Sequence, residues 1–383
     1  MKAIKKIYYW APHLVKIATP RAVINSAYSL RRYSGEFETS IINFFSEFNS
    51  YNQEIFSKKI KLINLYNVNF INFLPKYGFI LSRISFIFFF VLGFIPLKNL
   101  IKKVNPDFLI IHLISSLPLV LLIFFNFNTK FILRISGRPR LNFLRRFIWK
   151  LAFKKIYMVT CPTSSTMNYL ISLNIVSKEK LILLYDPIIN VSEYNLKKRD
   201  EKNKNPINNI HFFAAGRLTF QKNFLFLCRC FKNIIRVNKD LKLVIAGEGE
   251  YKKRIIKFIE KNNLKENITL VGHIDNVYSF LKKSKYLVVS SLWEDPGFIL
   301  LEAAMARVLV ISSNCLTGPK ELILDKFNGL LFTSNNQDSF KDTINYALQI
   351  DKYQMKQILL NNLKLVRKFT IFAHYQNFKA VIK

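Results

Sequence analysis

Two carboxylates near the C-terminal end of the chain invite chemistry. They stand in Ser291-Leu-Trp-Glu-Asp-Pro-Gly-Phe-Ile-Leu-Leu-Glu302, where Glu294 and Glu302 are 302 − 294 = 8 positions apart. The Pro-Gly break predicts a loop after a buried strand for the first and a place one or two turns into the next helix for the second. In an open α/β sheet, the crevice beyond such a strand end is where ligands bind. Earlier in the chain, Gly216-Arg-Leu-Thr-Phe-Gln-Lys222 sets two cations on another strand-to-helix loop. Acids for sugar hydroxyls and cations for a diphosphate are what a nucleotide-sugar site needs.

Each residue also has a plainer reading. Gly216 permits a tight turn, and a following helix N-terminus favours an anion beside Arg217 and Lys222. Loop cations are also often merely solvated. Glu302 interrupts the apolar run Leu300-Leu-Glu-Ala-Ala-Met-Ala306, and a carboxylate buried there needs donors or a counter-charge. Ribose hydroxyls or a structural salt bridge would both serve. Gly297 and Phe298 offer backbone N–H groups at that helix start. Gly247, in Gly247-Glu-Gly249, and Glu321, in Asn314-Cys-Leu-Thr-Gly-Pro-Lys-Glu321, follow two further strands. His112 closes an apolar strand after Pro106-Asp107; it is either a core histidine or a group facing the cleft.

Short apolar runs alternate with longer amphipathic ones, which predicts βαβ units and parallel sheets. Strands are expected at Lys6–Trp10, Phe108–His112, Lys130–Arg134, Ile156–Thr160 and Leu181–Leu184. Helices are expected at Arg140–Phe153 and Ser164–Leu173. A second series has strands at Ile210–Ala215, Lys242–Ala246, Ile268–Val271, Tyr286–Val289, Val308–Ser312 and Gly329–Phe332, with helices at Phe224–Arg236 and Tyr251–Lys261. The fold class is therefore α/β, two Rossmann-like domains facing a cleft. The domains are residues 1–190 and 210–365, with a polar linker at 191–209 and a last helix at 366–383.

At 383 residues with half of them hydrophobic, the chain has enough apolar mass for two cores, which excludes a disordered protein. Lys and Arg number 58 against 24 Asp and Glu, a formal charge of +34 that favours polyanionic partners. Part of that excess is solvated lysine. Cys161, Cys228, Cys230 and Cys315 have no metal-ligand spacing and read as buried thiols in a reducing compartment. The start of the chain has no apolar stretch long enough for a signal peptide. Ile84–Ile95 is apolar but too short to span a bilayer, and Phe108–Asn128 is read as strand, loop and helix because of His112 and Pro118. Arg83–Lys103 reads either as core or as an apolar helix lying on a membrane, flanked by Lys98, Lys102 and Lys103.

Taken together, these residues resemble the retaining glycosyltransferase family 4, of GT-B fold. Glu294 and Glu302 match its E-x7-E motif, and Gly216-Arg217 with Lys222-Asn223 its G-R-x4-K-N segment. Asn105-Pro-Asp107 with His112 resembles its P-D-x4-H, and Phe369-Thr with His374-Tyr375 its final helix crossing back to the first domain. The likeness is specific over roughly residues 205–335. The Glu-Asp-Pro-Gly-Phe form, followed by Gly-Pro-Lys-Glu, resembles bacterial enzymes that build O-antigen or capsule polysaccharides.

The resemblance implies a UDP- or GDP-linked sugar donor, net retention, and no metal or other cofactor. It implies that Arg217 and Lys222 stabilise the departing diphosphate. Glu294 would bind donor-sugar hydroxyls, Glu302 the ribose, and Gly297 and Phe298 would give backbone donors. Gly216, Gly247 and Glu321 join the donor side, and His112 lines the acceptor side. The acceptor is a saccharide, in particular a lipid-linked oligosaccharide. The expected location is cytoplasmic, against the anionic inner face of the plasma membrane. Two departures stand out: His13–Arg21 lacks the paired glycines common in the family's first loop, and Arg307 and Leu309 replace a Gly and a Pro.

Two rival readings remain at the level of sequence. A basic nucleic-acid-binding protein predicts cations interleaved with exposed aromatics on one face. The lysines are instead spread along the chain, so no nucleic-acid partner is expected. A GT-B scaffold that has lost catalysis predicts a degraded donor motif, whereas every donor-side residue is present.

Overall fold

The computed structural model describes residues 3–14, 18–66, 81–135, 137–139, 141–199, 207 and 210–382. Chain contacts divide it into two compact units, 1–188 with 371–383, and 189–370.

The first unit runs β1 (Lys5–Trp10), α1 (Thr19–Tyr33), β2 (Phe37–Asn43), α2 (Asn52–Ser57), β3 (Lys61–Asn64), α3 (Leu81–Val104), β4 (Phe108–Ile111), α4 (Ser116–Phe124), β5 (Lys130–Arg134), α5 (Phe143–Lys155), β6 (Met158–Cys161), α6 (Ser164–Ser172) and β7 (Leu181–Leu183). All pairings are parallel, in the order β3-β2-β1-β4-β5-β6-β7. Alternate strand residues enter different cores. Tyr8, Trp10, Leu109, Ile111 and Leu133 pack on one face; Ile7, Tyr9, Ile110 and Ile132 pack on the other. Burial on both faces is why these strands read as unbroken apolar runs.

The second unit runs α7 (Val191–Arg199), β8 (Ile210–Ala215), α8 (Phe224–Ile235), β9 (Leu243–Ala246), α9 (Lys252–Lys261), β10 (Ile268–Gly272), α10 (Val277–Leu281), β11 (Ser284–Val289), α11 (Phe298–Met305), β12 (Leu309–Ser313), α12 (Pro319–Leu322), β13 (Leu330–Phe332), α13 (Gln337–Gln349) and α14 (Lys352–Val366). Its parallel sheet is ordered β10-β9-β8-β11-β12-β13. The last helix, α15 (Ile371–Val381), packs on α1 and belongs to the first unit. Both sheets reverse strand order at one point, between β1 and β4 and between β8 and β11. Such switch points form ligand crevices at the carboxyl ends of the strands.

Several sequence expectations need correction. The polar stretch 191–209 is not all linker. Val191–Arg199 is helical, with Tyr194 against Tyr278 at 4.9 Å between rings and Asn276 Nδ2 donating to the Lys197 carbonyl at 2.9 Å. Residues 200–206, 208 and 209 lie outside the described residues, as do 15–17 of the loop that lacks the paired glycines. The apolar stretch Ile84–Ile95, expected to be too short for a bilayer, is part of a longer helix: α3 runs through Pro96 to Val104. The helix expected from Arg140 starts at Phe143, because the Asn142 side chain accepts from the Arg145 N–H at 2.9 Å and caps it. The apolar run from Phe108 resolves into β4, a loop, and α4 with Pro118 in its first turn.

Candidate functional site

The loop after β8 and the loop after β11 flank the switch point of the second sheet, and they are stitched together. Leu292 N–H donates to the Gln221 carbonyl at 2.8 Å, and Gln221 Nε2 to the Trp293 carbonyl at 2.8 Å. The Ser290 hydroxyl donates to the Lys222 carbonyl at 2.9 Å. At the centre, Lys222 Nζ forms an ion pair with Glu294 Oε1. The Ser291 hydroxyl donates to the same oxygen at 2.6 Å. Glu294 is only 5% exposed, so these two donors offset the cost of withdrawing a carboxylate from water.

A third loop, after β12, fixes Glu294 from the other side. The Thr317 hydroxyl donates to the Glu294 carbonyl, and the Ser313 hydroxyl to the Ser291 carbonyl at 2.5 Å. Gly318 has φ 68°, and a Cβ there would lie 2.2 Å from the Pro296 carbonyl oxygen. Gly247 has the tightest approach: a Cβ would stand 1.9 Å from the Gly216 carbonyl oxygen at φ 145°. Glycine at 247 is thus required for the β9 loop to lie against the β8 loop. The Lys222 side chain crosses Gly216, with Cε 3.1 Å from where a Cβ would be.

Gly216, Arg217, Lys222, Gly247, Glu294, Gly297, Phe298, Glu302 and Glu321 all fall on the carboxyl-end loops of the second sheet or the helices that follow. Arg217 is exposed, with Nη2 3.5 Å from Gln221 Oε1. Gly297 caps α11, and no side chain caps its first N–H groups. Such a start takes an anion or a polar ligand. Glu302 departs from its expected environment. Ile299, Leu300, Leu301, Ala303 and Ala304 are buried, but Glu302 shares the half-exposed stripe of α11 with Phe298 and Met305. The burial argument belongs to Glu294 instead. Glu321 is half-buried in α12. All four cysteines are buried, and burial pushes Cys228 and Cys230 up to about 12 and Cys315 to about 11, so they are inert thiols at neutral pH.

His112 lies in the first unit, at the end of β4 beside β1, with its backbone N–H donating to the Trp10 carbonyl at 2.8 Å. It lines a small cavity with Ser26, Arg134, Thr160, Asp186 and His374. Burial first, then Arg134 and His374, hold its imidazole well below the usual range, so it is neutral at pH 7. Sequence reasoning missed the polar group around it. Arg134 Nε donates to Asp186 Oδ1 at 3.0 Å, and a second guanidinium nitrogen pairs with Oδ2. His374 Nδ1 is 2.9 Å from the Tyr185 carbonyl, which can only accept. Neutral His374 therefore accepts at Nε2 from the Ser26 hydroxyl at 2.9 Å, and Tyr9 donates to Ser26 at 3.0 Å. An Arg ending an apolar strand was the available signal for this cluster.

That cluster sets a pH dependence. Burial depresses His374 to about 4, so the unfolded chain binds its proton first as pH falls below the ordinary value of 6.5. The stability it contributes is complete above 6.5 and lost as pH drops towards 4, by roughly 2–4 kcal/mol. Glu47, raised to about 7 by burial, has the opposite slope over part of that window. The expected result is that His374→Gln flattens the fall in urea midpoint between pH 7 and pH 5. An unchanged slope would remove His374 as its source.

The fold defined here is GT-B, two Rossmann-like α/β units. A solved glycosyltransferase from Rickettsia africae superposes with a TM-score of 0.74 at 17% identity, covering 99% of this chain and 98% of that one. Residues 197–359, which hold the whole of the Lys222–Glu294 site, match the family described as Glycosyl transferases group 1. An uncharacterized glycosyltransferase of Methanocaldococcus jannaschii is 31% identical over 247 residues, 60% of this chain and 61% of that protein. The UDP-Gal:alpha-D-GlcNAc-diphosphoundecaprenol alpha-1,3-galactosyltransferase of Escherichia coli is 32% identical over 177 residues, 45% of each chain. The matched stretch thus spans between about half and three-fifths of these relatives' length.

Proposed function

We propose that the chain is a retaining glycosyltransferase of family 4. It moves a sugar from a UDP- or GDP-linked donor to a lipid-linked saccharide in cell-surface polysaccharide synthesis. The ion pair of half-buried Lys222 with buried Glu294 at the β8/β11 switch point carries this reading. An ammonium has three donors, so one bond to Glu294 leaves it able to meet a diphosphate oxygen. The departing diphosphate is where negative charge grows, and a preorganised cation there stabilises the transition state. Arg217 adds a second cation from the same loop. Glu294, held by Lys222 and Ser291, orients donor-sugar hydroxyls; Glu302 takes the ribose; the first N–H groups of α11, at Gly297 and Phe298, meet the diphosphate. Within the first unit, His112 is assigned to the acceptor, since a neutral imidazole donates to or accepts from a sugar hydroxyl. No metal takes part, so EDTA leaves turnover unchanged.

Thermal unfolding with UDP, GDP and an oligonucleotide tests the reading. A nucleotide at about 100 times its dissociation constant adds about 2.7 kcal/mol and raises the midpoint by several degrees. Glu302→Ala is expected to shrink that shift. A shift with the oligonucleotide alone overturns the proposal in favour of nucleic-acid binding. Nucleotide protection with no hydrolysis or transfer across UDP-, GDP- and dTDP-sugars overturns catalysis and leaves a scaffold.

A further inference from the structure

Helix α3 is apolar on two opposite faces. Phe89, Leu97 and Ile101 are buried in the core of the first unit. At Gly93 the helix lies so close to α4 that a Cβ would stand 2.7 Å from Leu117 Cδ2. The helix is therefore seated in the fold. Its other face carries Ile84, Ile87, Phe88, Val91 and Ile95, an i, i+3, i+4, i+7, i+11 pattern, and all are exposed; Val91 reaches 64%. The first two turns of α5 add Phe143, Leu144 and Phe147, with Phe143 89% exposed.

The charge around this face is one-sided. From residue 81 to residue 178 there are 14 Lys and Arg, and Asp107 is the one acid. Lys98 and Lys102 lie over the Phe125 ring at 5.2 and 5.6 Å, which keeps cations beside the apolar stripe. A second copy of this chain would bring the same positive charge to the contact and be repelled. An anionic lipid surface is complementary in both respects.

We propose that the outer stripe of α3, with the first turns of α5, embeds in the interface of an anionic lipid bilayer. Residues 84–104 are long and apolar enough to cross a membrane. A crossing would require α3 to withdraw Phe89, Gly93, Leu97 and Ile101 from the core, so the helix lies in the plane of the interface. Topology adds a consequence. α5 starts where β5 ends, and α3 ends where β4 begins, so the N-terminal halves of both helices lie at the sheet edge that carries His112. A lipid-tethered acceptor would meet the protein at that edge. This last step rests on the transferase reading; bilayer binding does not.

The experiment uses the full chain with phosphatidylcholine vesicles, with and without one third phosphatidylglycerol. Sedimentation is expected to recover the protein with the anionic vesicles, and the pair Ile87→Glu with Val91→Glu to weaken binding at least ~10-fold at unchanged thermal midpoint. Ile87→Trp is expected to emit at shorter wavelength on binding and to be quenched by lipids brominated along the acyl chain. Four results overturn the proposal: no binding to anionic vesicles, binding unaffected by the Glu pair, an unquenched Ile87→Trp, or resistance to alkaline carbonate, which would mark a spanning helix. A concentration-dependent dimer broken by the Glu pair assigns the face to a second copy and overturns it too. Nucleotide protection is measured in parallel, so that failure here and failure of the transferase reading are separable.

Discussion

Lys222→Ala is expected to lower turnover about 10²–10³-fold, the loss seen when one preorganised donor to a developing negative charge is removed. It also leaves Glu294, with 6% of its side chain exposed, served by the Ser291 hydroxyl but stripped of its cation. The added stability loss is about 1–3 kcal/mol, because Lys222 is not fully buried. The double variant Lys222→Ala with Glu294→Gln separates the two effects. It is expected to recover most of the urea midpoint and none of the turnover. Arg217→Ala is the cleaner probe of charge, since an exposed side chain is lost at almost no cost in stability. Wild-type transfer by either cation variant would refute the diphosphate role.

Asp186→Ala is expected to have the largest effect on folding. Arg134 and Asp186 have side chains 8% and 4% exposed, and truncating one partner of such a pair costs about 3–5 kcal/mol. For a domain near two hundred residues, that lowers the thermal midpoint by roughly 6–20 °C. Replacing both, Arg134→Met with Asp186→Leu, is expected to restore most of the loss, because two apolar residues of similar volume need no counter-charge. Calorimetry on the three proteins decides. A midpoint within a degree or two of wild type for Asp186→Ala would show that the pair contributes little.

The parallel sheets were legible because strands covered on both faces are apolar throughout and lie between amphipathic helices. β2 and β3 were not named as strands. Phe37-Glu-Thr-Ser-Ile-Ile-Asn43 mixes polar and apolar residues, and Lys61–Asn64 is a half-buried edge strand with no clean alternation. α3 was legible as an apolar helix over Arg83–Lys103, but whether it serves the core or a membrane surface was not, because apolar residues on two faces erase the helical period. At the candidate site, residue types and local spacing pointed to loops that the fold sets at the carboxyl ends of the second sheet, since a Gly-rich strand exit is a local signal. Which acid is buried was not local. Glu302 sits in the more apolar run, yet Glu294 is the enclosed one, because Lys222, Ser291 and Thr317 converge on it from three loops. Likewise Arg134 and Asp186 meet across 186 − 134 = 52 residues, as does Ser26 with His374 across 348, separations no pattern in the sequence reports.

The return of α15 to the first unit bears on how the protein is made. Phe378, Val381 and Ile382 fill the same core as Val23, Ile24 and Leu30 of α1, and α15 emerges from the ribosome only after residues 189–370. At about 5–20 residues per second, the first unit waits roughly 10–40 s with that part of its core open. Through that interval an apolar groove along α1 stays uncovered, a natural holding site for a chaperone. The second unit, contiguous in sequence, can complete its own core once residues 189–370 have emerged.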